Sequence, residues 1–176
     1  LFKITSPSAN KPHELFEVNY SDWSTVEFLV IGKIINIADG RIEIRFRLID
    51  TVKQIELLAQ AVTANNSQMR AIAHRVSDLI YKKISGVDGA FSTRIAYVHR
   101  QDKHHRLIVA DSDGYGEQTI LASEQPISEP AWSPDGNSLA YVSFEQGRAM
   151  VYSQSLLTQK RILLAAYIGS NSTPTW

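Results

Sequence analysis

Residues 136–140, GNSLA, lack only the last glycine of the G-x-S-x-G motif that displays a nucleophilic serine. That motif works on a sharp turn that follows a strand and opens a helix. Here the sequence predicts the opposite order, with a turn before Ser138 and a strand after it. The segment therefore favours a serine in a solvated turn, and no catalytic residue is assigned.

A second candidate is a calcium-binding loop that begins at Asp111, since residues 111–114 read DSDG. Such a loop needs a further oxygen ligand at its fifth position and a bidentate glutamate at its twelfth. Tyr115 and Ala122 occupy those positions, and neither offers a carboxylate. The spacing therefore favours a hairpin turn over a calcium site.

His99, His104 and His105 cluster with Asp102 in the sequence. Neutral imidazoles are good ligands for zinc or nickel. The cluster lies in a charged hairpin, residues 100–106, which predicts a solvated loop rather than a metal centre. The chain has no cysteine, which excludes thiolate-bound metals and cysteine nucleophiles. No metal and no cofactor are therefore expected.

Arg41, Arg45 and Arg47 share one face of a predicted strand, which suggests nucleic-acid binding. Glu43 lies on the same face, however, and no aromatic side chain is there for bases to stack on. The 18 basic and 18 acidic side chains also leave the 176-residue chain with a formal net charge of zero. Nucleic-acid binders carry a basic surplus, so a solvated or partner-covered face is favoured.

In the first half of the chain, three strands and a helix are predicted. Residues 28–38 form a Val- and Ile-rich run that predicts a buried strand, and Asp39-Gly40 predicts a tight hairpin turn. Residues 41–48 alternate strictly between charged and apolar side chains, which predicts a half-buried antiparallel strand. A third strand is expected over residues 54–62. The longest apolar run, residues 28–38, is too short to span a bilayer.

The predicted helix follows the third strand. Asn65 and Gln68 have capping-box spacing at its start, and Gly86 provides a stop signal at its end. Ile72, Val76, Leu79 and Ile80 form one apolar stripe along it. Three antiparallel strands with a helix on one face predict a small α/β domain over residues 1–88.

The second half of the chain repeats with a period of 44 residues. IAYV at residues 95–98 matches LAYV at 139–142, and EPAW at residues 129–132 matches TPTW at 173–176. A period of 40–45 residues that contains several short strands is typical of a β-propeller blade. We therefore interpret residues 89–176 as the first two repeats of an incomplete propeller.

Each repeat predicts three strands. They are expected at residues 94–99, 107–111 and 118–122 in the first repeat, and at residues 139–144, 150–155 and 161–165 in the second. Pro130 and Trp132 open the second repeat ahead of a Ser-Pro-Asp-Gly turn. Trp132 is expected to pack between blades.

The two halves together resemble the TolB family. The unit EPAWSPDGNSLAYVSF is similar to the TolB-type propeller repeat, and the junction at residues 74–98 is more specific. In that family a helix ends, a GxxGAF turn follows, and TRIAYV begins the propeller. Residues 86–91 and 93–98 match these two motifs here, and DSDGYGEQTIL also fits the first blade of the family. The likeness runs from about Trp23 to Trp176.

The resemblance implies both a fold and a function. The fold is a small amino-terminal α/β domain followed by a truncated six-bladed β-propeller. The function is that of a non-enzymatic periplasmic adaptor in the Tol-Pal system. Its propeller binds the lipoprotein Pal, and its extreme amino terminus binds TolA. The system maintains outer-membrane integrity, supports cell division and is exploited for colicin import.

We expect this chain to be an internal part of such a protein, since it begins at Leu1 and ends at Trp176 within a repeat. The signal peptide, the TolA-binding segment and four blades would then lie outside it. Peripheral association with the envelope is expected rather than membrane insertion.

The resemblance also implies a partner-binding surface. In the family, Pal contacts one mouth of the propeller through the loops that precede each Pro–aromatic opening. The matching loops are residues 124–129 and 169–173. The candidate partner-binding residues are Glu129, Gly169, Ser170, Asn171 and Ser172. Loops held by a rigid scaffold suit such a role.

One alternative function remains open. Similar propeller repeats also occur beside peptidase domains, so the chain could belong to the propeller that gates a serine peptidase. That hypothesis requires an α/β-hydrolase domain with a G-x-S-x-G motif further downstream.

Overall fold

Antiparallel pairing organises the chain into three sheets, each a meander in which strands pair in chain order. The structure is a computed structural model that describes residues 3–5 and 11–176. The contacts divide the chain into two units, Leu1–Ser92 and Thr93–Trp176. The first unit holds one sheet and the helix, and the second unit holds the other two sheets.

Among its described residues, the first unit contains three strands and one α-helix. They are β1 (Phe28–Asn36), β2 (Arg41–Asp50), β3 (Ile55–Asn65) and α1 (Met69–Ser85). Asp39 and Gly40 both have positive φ, at 63° and 69°, as the predicted hairpin turn requires. β3 runs beyond its predicted end at residue 62, because pairing with β2 continues until Asn65 lies opposite Arg41.

Alternate side chains of β2 lie on the two faces of this sheet, and the two faces are covered differently. Phe46 and Leu48 are buried on the apolar face, as the alternation predicts, and α1 packs against the neighbouring strand β3. On the other face, a buried cluster of Leu29, Ile31 and Ile49 is covered by side chains of residues 18–23. That segment contains a short 3-10 turn, Tyr20–Trp23.

α1 begins and ends at the predicted signals. The Asn65 N–H donates to the Gln68 side chain at 3.2 Å, which completes a capping box around a 3-10 turn ahead of the helix. Gly86 ends the helix with φ at 77°, and its N–H donates to the Lys82 carbonyl at 2.9 Å. Within the described ranges, no helix has the length and apolar character needed to span a membrane.

The second unit contains a three-stranded sheet and a four-stranded sheet. The strands are β4 (Arg94–Gln101), β5 (His104–Asp111), β6 (Gln118–Ser123), β7 (Ile127–Trp132), β8 (Ser138–Ser143), β9 (Met150–Ser155) and β10 (Arg161–Ala165). Six of them correspond to the six predicted strands. β7 is additional, and it pairs with β8 at one edge of the four-stranded sheet.

β7 corrects the prediction that residues 124–129 form a loop and that the Pro–aromatic opening lies outside the strands. The pairing between β7 and β8 shifts register between Ser128 and Ala131, which marks a bulge that contains Pro130. Proline lacks the N–H that a ladder needs, and bulges and edge strands tolerate it. Because of Pro130, the sequence of β7 does not indicate the strand that the structure contains.

The core of the second unit lies between its two sheets. Buried apolar side chains from both sheets form one cluster: Leu107, Val109, Ile120, Ile127, Leu139 and Tyr141. Trp132 packs against this cluster, as expected, and the Arg94 guanidinium lies 4.9 Å from its ring centre.

A buried polar link also joins the two sheets. The Tyr141 hydroxyl donates to Gln154 Oε1 at 2.8 Å, and Gln154 Nε2 donates to the Ile120 carbonyl at 3.2 Å. Tyr141 is fully buried, and this burial raises its pKa to about 12. The link satisfies polar groups that would otherwise be costly to bury.

Candidate functional site

The candidate partner-binding loops lie at one end of the four-stranded sheet. Ile127 pairs with Ser143, which in turn pairs with Met150. Because neighbouring strands are antiparallel, β7 and β9 begin at this end, and β8 and β10 finish there. We call it the Ser143 end. Residues 124–126 and 166–173 adjoin it in the chain.

Glu129, in the bulged part of β7, is bonded to the second loop. Its carboxylate accepts the backbone N–H of Thr173, exactly one repeat period of 44 residues further on. Both residues have positive φ, at 55° for Glu129 and 48° for Thr173. This backbone conformation is unusual for a residue other than glycine, most of all for the β-branched threonine. The two successive repeats therefore share the same strained backbone at the same position.

Asn171 holds the second loop from inside. Its side chain is 6% exposed. Its Oδ1 accepts the Tyr167 N–H at 3.2 Å, while its Nδ2 donates to the carbonyls of Tyr167 at 2.9 Å and Ala149 at 3.2 Å. Asn171 therefore positions the loop and presents little surface to a partner.

The other candidate residues of this loop are exposed. Gly169 has φ at 100°, a conformation that favours glycine. Ser170 and Ser172 flank the buried Asn171 and are both exposed. Glu129 is exposed too, although its carboxylate is engaged by Thr173. The five candidates thus divide into residues that shape the loops and residues that face outward.

Sequence reasoning missed two side chains of this loop. Tyr167 is 75% exposed and Ile168 is fully exposed. They follow a strand rich in Ile and Leu, so their sequence alone suggests that they continue that strand. A signal was available, because no charged residue occurs anywhere in residues 162–176.

An ion pair orders the neighbouring β8–β9 loop at the same end. Partial burial raises the pKa of Glu145, but hydrogen bonds from Arg161 and Ser143 outweigh it and hold the pKa below its ordinary value. The Arg161 guanidinium also lies 3.6 Å from the ring centre of Tyr152. These contacts therefore link the β8–β9 loop to β8 and to β10.

Ser138 lies where the sequence analysis placed it, after a turn and at the start of a strand. The Gly136 N–H donates to the Ser133 carbonyl at 2.9 Å, and the Ser133 hydroxyl donates to Asp135 at 2.6 Å. β8 begins at Ser138. Ser138 therefore lies outside the strand–turn–helix context that a nucleophilic serine needs.

The segment that resembles a calcium loop forms the predicted turn between β5 and β6. The Gly114 N–H donates to the Asp111 carbonyl at 2.8 Å, and Gly114 has φ at 84°. The Tyr115 N–H donates to the Asp113 carboxylate at 3.1 Å. The fifth position of the would-be calcium loop therefore contributes a donor to this turn.

Residues 100–106 belong to a charged hairpin, as predicted, but little of that hairpin is loop. β4 and β5 continue almost to their connection, and only Asp102 and Lys103 lie between them. Successive side chains of a strand point to opposite faces, so His105 lies on the opposite face of β5 from His104. His99 instead meets Arg106, whose Nη2 is 3.2 Å from His99 Nδ1. The pairing therefore separates His105 from the other two histidines, which share a face.

The arginine-bearing face of β2 is occupied by ion pairs. Arg45 pairs with Glu43 on the same strand, and Arg47 pairs with Glu56 on β3. Arg45 and Arg47 line a cavity of 270 Å³ together with Ala59 and Ala61. Much of the positive charge on this face is therefore balanced locally.

Several residues of the junction have structural roles within the first unit. The Asp78 carboxylate accepts the N–H groups of Phe91 at 2.8 Å and Ser92 at 3.0 Å. Burial raises the Asp78 pKa, but hydrogen bonds from Ser92 and Phe91 prevail and lower it. A Cβ on Gly89 would lie 2.3 Å from Asp78 Oδ1, and the Phe91 ring meets Tyr81 edge-on at 5.9 Å. These contacts tie the residues that follow α1, as far as Ser92, to the first unit.

Comparison with known proteins places this architecture in a family. The TolB beta propeller domain matches residues 81–176, more than half of the chain, and the TolB amino-terminal domain matches residues 1–57. The crystal structure of TolB from Acinetobacter baumannii aligns with a TM-score of 0.82 at 37% identity, covering 92% of this chain and 41% of that chain. These matches confirm the predicted fold class of an α/β portion followed by part of a β-propeller.

Sequence relatives agree. The Tol-Pal system protein TolB of Methylobacillus flagellatus is 44% identical over 98% of this chain and 41% of its own length. The protein of the same name from Bordetella avium is 48% identical over 88% of this chain and 36% of its own length. The chain thus spans about two fifths of the length of the curated relatives that it matches. It belongs to the TolB family.

Proposed function

We propose that the protein is a non-enzymatic periplasmic adaptor of the Tol-Pal envelope system. Family membership carries this proposal, since the relatives are named as Tol-Pal system proteins. The role of the whole protein is inferred from them, because this chain spans about two fifths of their length. In that role it helps to maintain outer-membrane integrity, supports cell division and serves protein and colicin import.

We place the binding of the lipoprotein Pal at the Ser143 end. The loop of residues 166–173 is joined there to β7 through the bond between Glu129 and Thr173. Ser170 and Ser172 are exposed on a loop that the buried Asn171 holds in place. Strained backbone that the surrounding structure maintains is common at binding sites. TolA would bind through a segment amino-terminal to these residues.

The contacts made by the candidate chemical groups favour an adaptor over an enzyme. Ser138 opens a strand, Asp111 and Asp113 shape a turn, and the strand pairing separates His105 from His104. The match of residues 1–57 to the TolB amino-terminal domain also favours the adaptor over the gate of a peptidase.

Calorimetric titration of Pal into the intact protein tests this proposal. Ser172→Arg should weaken binding at least tenfold, because it places a bulky charge on the exposed loop at the Ser143 end. Thr158→Arg is the matched control, since Thr158 is exposed in the β9–β10 turn at the opposite end of the sheet. Absence of Pal binding by the unaltered protein would overturn the proposal.

A further inference from the structure

Tyr167 and Ile168 form the most exposed apolar pair of the second unit. Tyr167 is 75% exposed and Ile168 is 100% exposed. They follow β10 directly at the Ser143 end and precede the exposed Gly169 and Ser170. Large exposed apolar groups that adjoin a binding surface are typical anchors of protein–protein contacts.

The backbone that carries this pair is fixed. Both the N–H and the carbonyl of Tyr167 bond to the side chain of Asn171, which is itself tied to the Ala149 carbonyl at the start of β9. An anchor that is already held in one conformation loses little entropy when it binds. Rigid display of apolar side chains is therefore a property of this loop.

The preceding repeat shows how the same position behaves beside a neighbouring sheet. One period of 44 residues earlier, Ser123 and Glu124 occupy the places of Tyr167 and Ile168. Glu124 is exposed although the following sheet, β7 to β10, lies against the β4–β6 sheet. The position of Ile168 is thus one that a following sheet leaves open, and an isoleucine stands there in place of a glutamate.

The chemistry of the surrounding surface indicates the partner. Residues 162–176 carry no charged side chain, and the exposed Glu124 and Glu129 at the same end are acidic, so this surface offers no attraction to nucleic acid or to anionic lipid. Apolar side chains flanked by serine hydroxyls fit an uncharged protein surface with an apolar pocket and hydrogen-bonding groups around it.

We infer that Tyr167 and Ile168 form an apolar anchor that enters an uncharged pocket on the protein bound at the Ser143 end. The inference rests on the proposed function and deepens it. It identifies which side chains contribute most to binding at that site and which kind of surface receives them.

The decisive variant is Ile168→Glu in the intact protein, which installs the residue found one repeat earlier. We expect the affinity for Pal in calorimetric titration to fall at least tenfold, with the melting temperature unchanged. Leu157→Glu is the matched control, because Leu157 is 77% exposed at the opposite end of the same sheet. The control should leave both the affinity and the melting temperature unchanged.

The outcomes separate the inference from the proposed function. If the unaltered protein binds Pal and Ile168→Glu binds equally well, the anchor is refuted and the adaptor function stands. A melting temperature several degrees lower would show that the chain itself covers Ile168, which also refutes the anchor. Loss of binding to neutral phospholipid vesicles, with Pal binding intact, would assign the pair to a membrane surface instead. No Pal binding by the unaltered protein overturns both ideas.

Discussion

The two sheets of the second unit follow the same repeat, yet one has three strands and the other has four. β8, β9 and β10 correspond to β4, β5 and β6, while β7 has no counterpart in the three-stranded sheet. One period before β7 lie residues 83–88, which contain the end of α1 and its capping Gly86. A helix end thus occupies the positions that would supply the fourth strand.

This difference teaches that the missing strand changes an edge of the sheet and leaves the core intact. Each sheet contributes three residues to the shared buried cluster. Leu107 of the three-stranded sheet and Leu139 of the four-stranded sheet are both fully buried. The two sheets therefore share one core, but positions one period apart are not packed alike: Leu139 is fully buried, whereas Ile95 on the edge strand β4 is 40% exposed.

Truncation of Leu107 or of Leu139 to alanine tests this shared core and has the largest expected effect. Each change should lower the free energy of unfolding by about 2–5 kcal/mol, the usual range for a buried leucine. Urea denaturation followed by tryptophan fluorescence measures it. Leu157→Ala, in an exposed turn, is the control and should change the free energy by less than about 0.5 kcal/mol.

The comparison would fail if only one of the two leucine variants lost stability. It would also fail if either variant melted in two separate steps within the second unit, since two sheets that share one core should unfold together.

The helix end that replaces the inner strand gives a second test. Gly89→Ala should cost about 1–3 kcal/mol, because its Cβ would lie 2.9 Å from the Asp78 Cα and force the backbone apart. Gly86→Ala is the matched control, with open space around it and only its φ of 77° to oppose the change, at about 1 kcal/mol. Thermal unfolding of both variants gives the order. Equal costs at the two glycines would contradict the close approach to α1.

Tyr141→Phe sharpens the comparison at the link between the sheets. Loss of the bond to Gln154 should cost about 1 kcal/mol at neutral pH. A pKa raised to about 12 also means that the unfolded chain ionises first as pH rises. The stability that the neutral Tyr141 hydroxyl contributes is therefore fully present below pH 10 and is lost between pH 10 and 12, by about 3 kcal/mol.

Unfolding measured against pH distinguishes these two contributions of Tyr141. The phenylalanine variant should lose most of the alkaline decline and keep a smaller part, since the pKa of Tyr97 is raised as well through its hydrogen bond to Glu117. An unchanged alkaline profile would show that the Tyr141 hydroxyl is not buried between the sheets.

Much of this architecture could be predicted from the residues. The alternation in β2, the turn at Asp39-Gly40 and the capping box at Asn65 all depend on contacts between close neighbours in the chain, and the structure contains them. The 44-residue period likewise predicted three strands of each propeller sheet. These features could be predicted because each sequence signal lies within a few residues of the turn, cap or strand that it produces.

The remaining features depend on contacts that local patterns do not encode. β7 escaped prediction because Pro130 argues against a strand unless the bulge around it is known. The role of Asn171 depends on Ala149, which is 22 residues away in the chain. The exposure of Ile168 became visible only after the fold showed which side of the loop faces outward.

The meander order of all three sheets has a consequence for how the chain folds. Each strand pairs with its neighbour in sequence, so ordering it closes only short loops, and such topologies fold fast. The β4–β6 sheet can form as soon as Ser123 emerges during synthesis, but its apolar face is covered only after Tyr141 follows. At about 5–20 residues per second, that face stays open for a few seconds, and this interval is when the nascent chain most needs protection from aggregation.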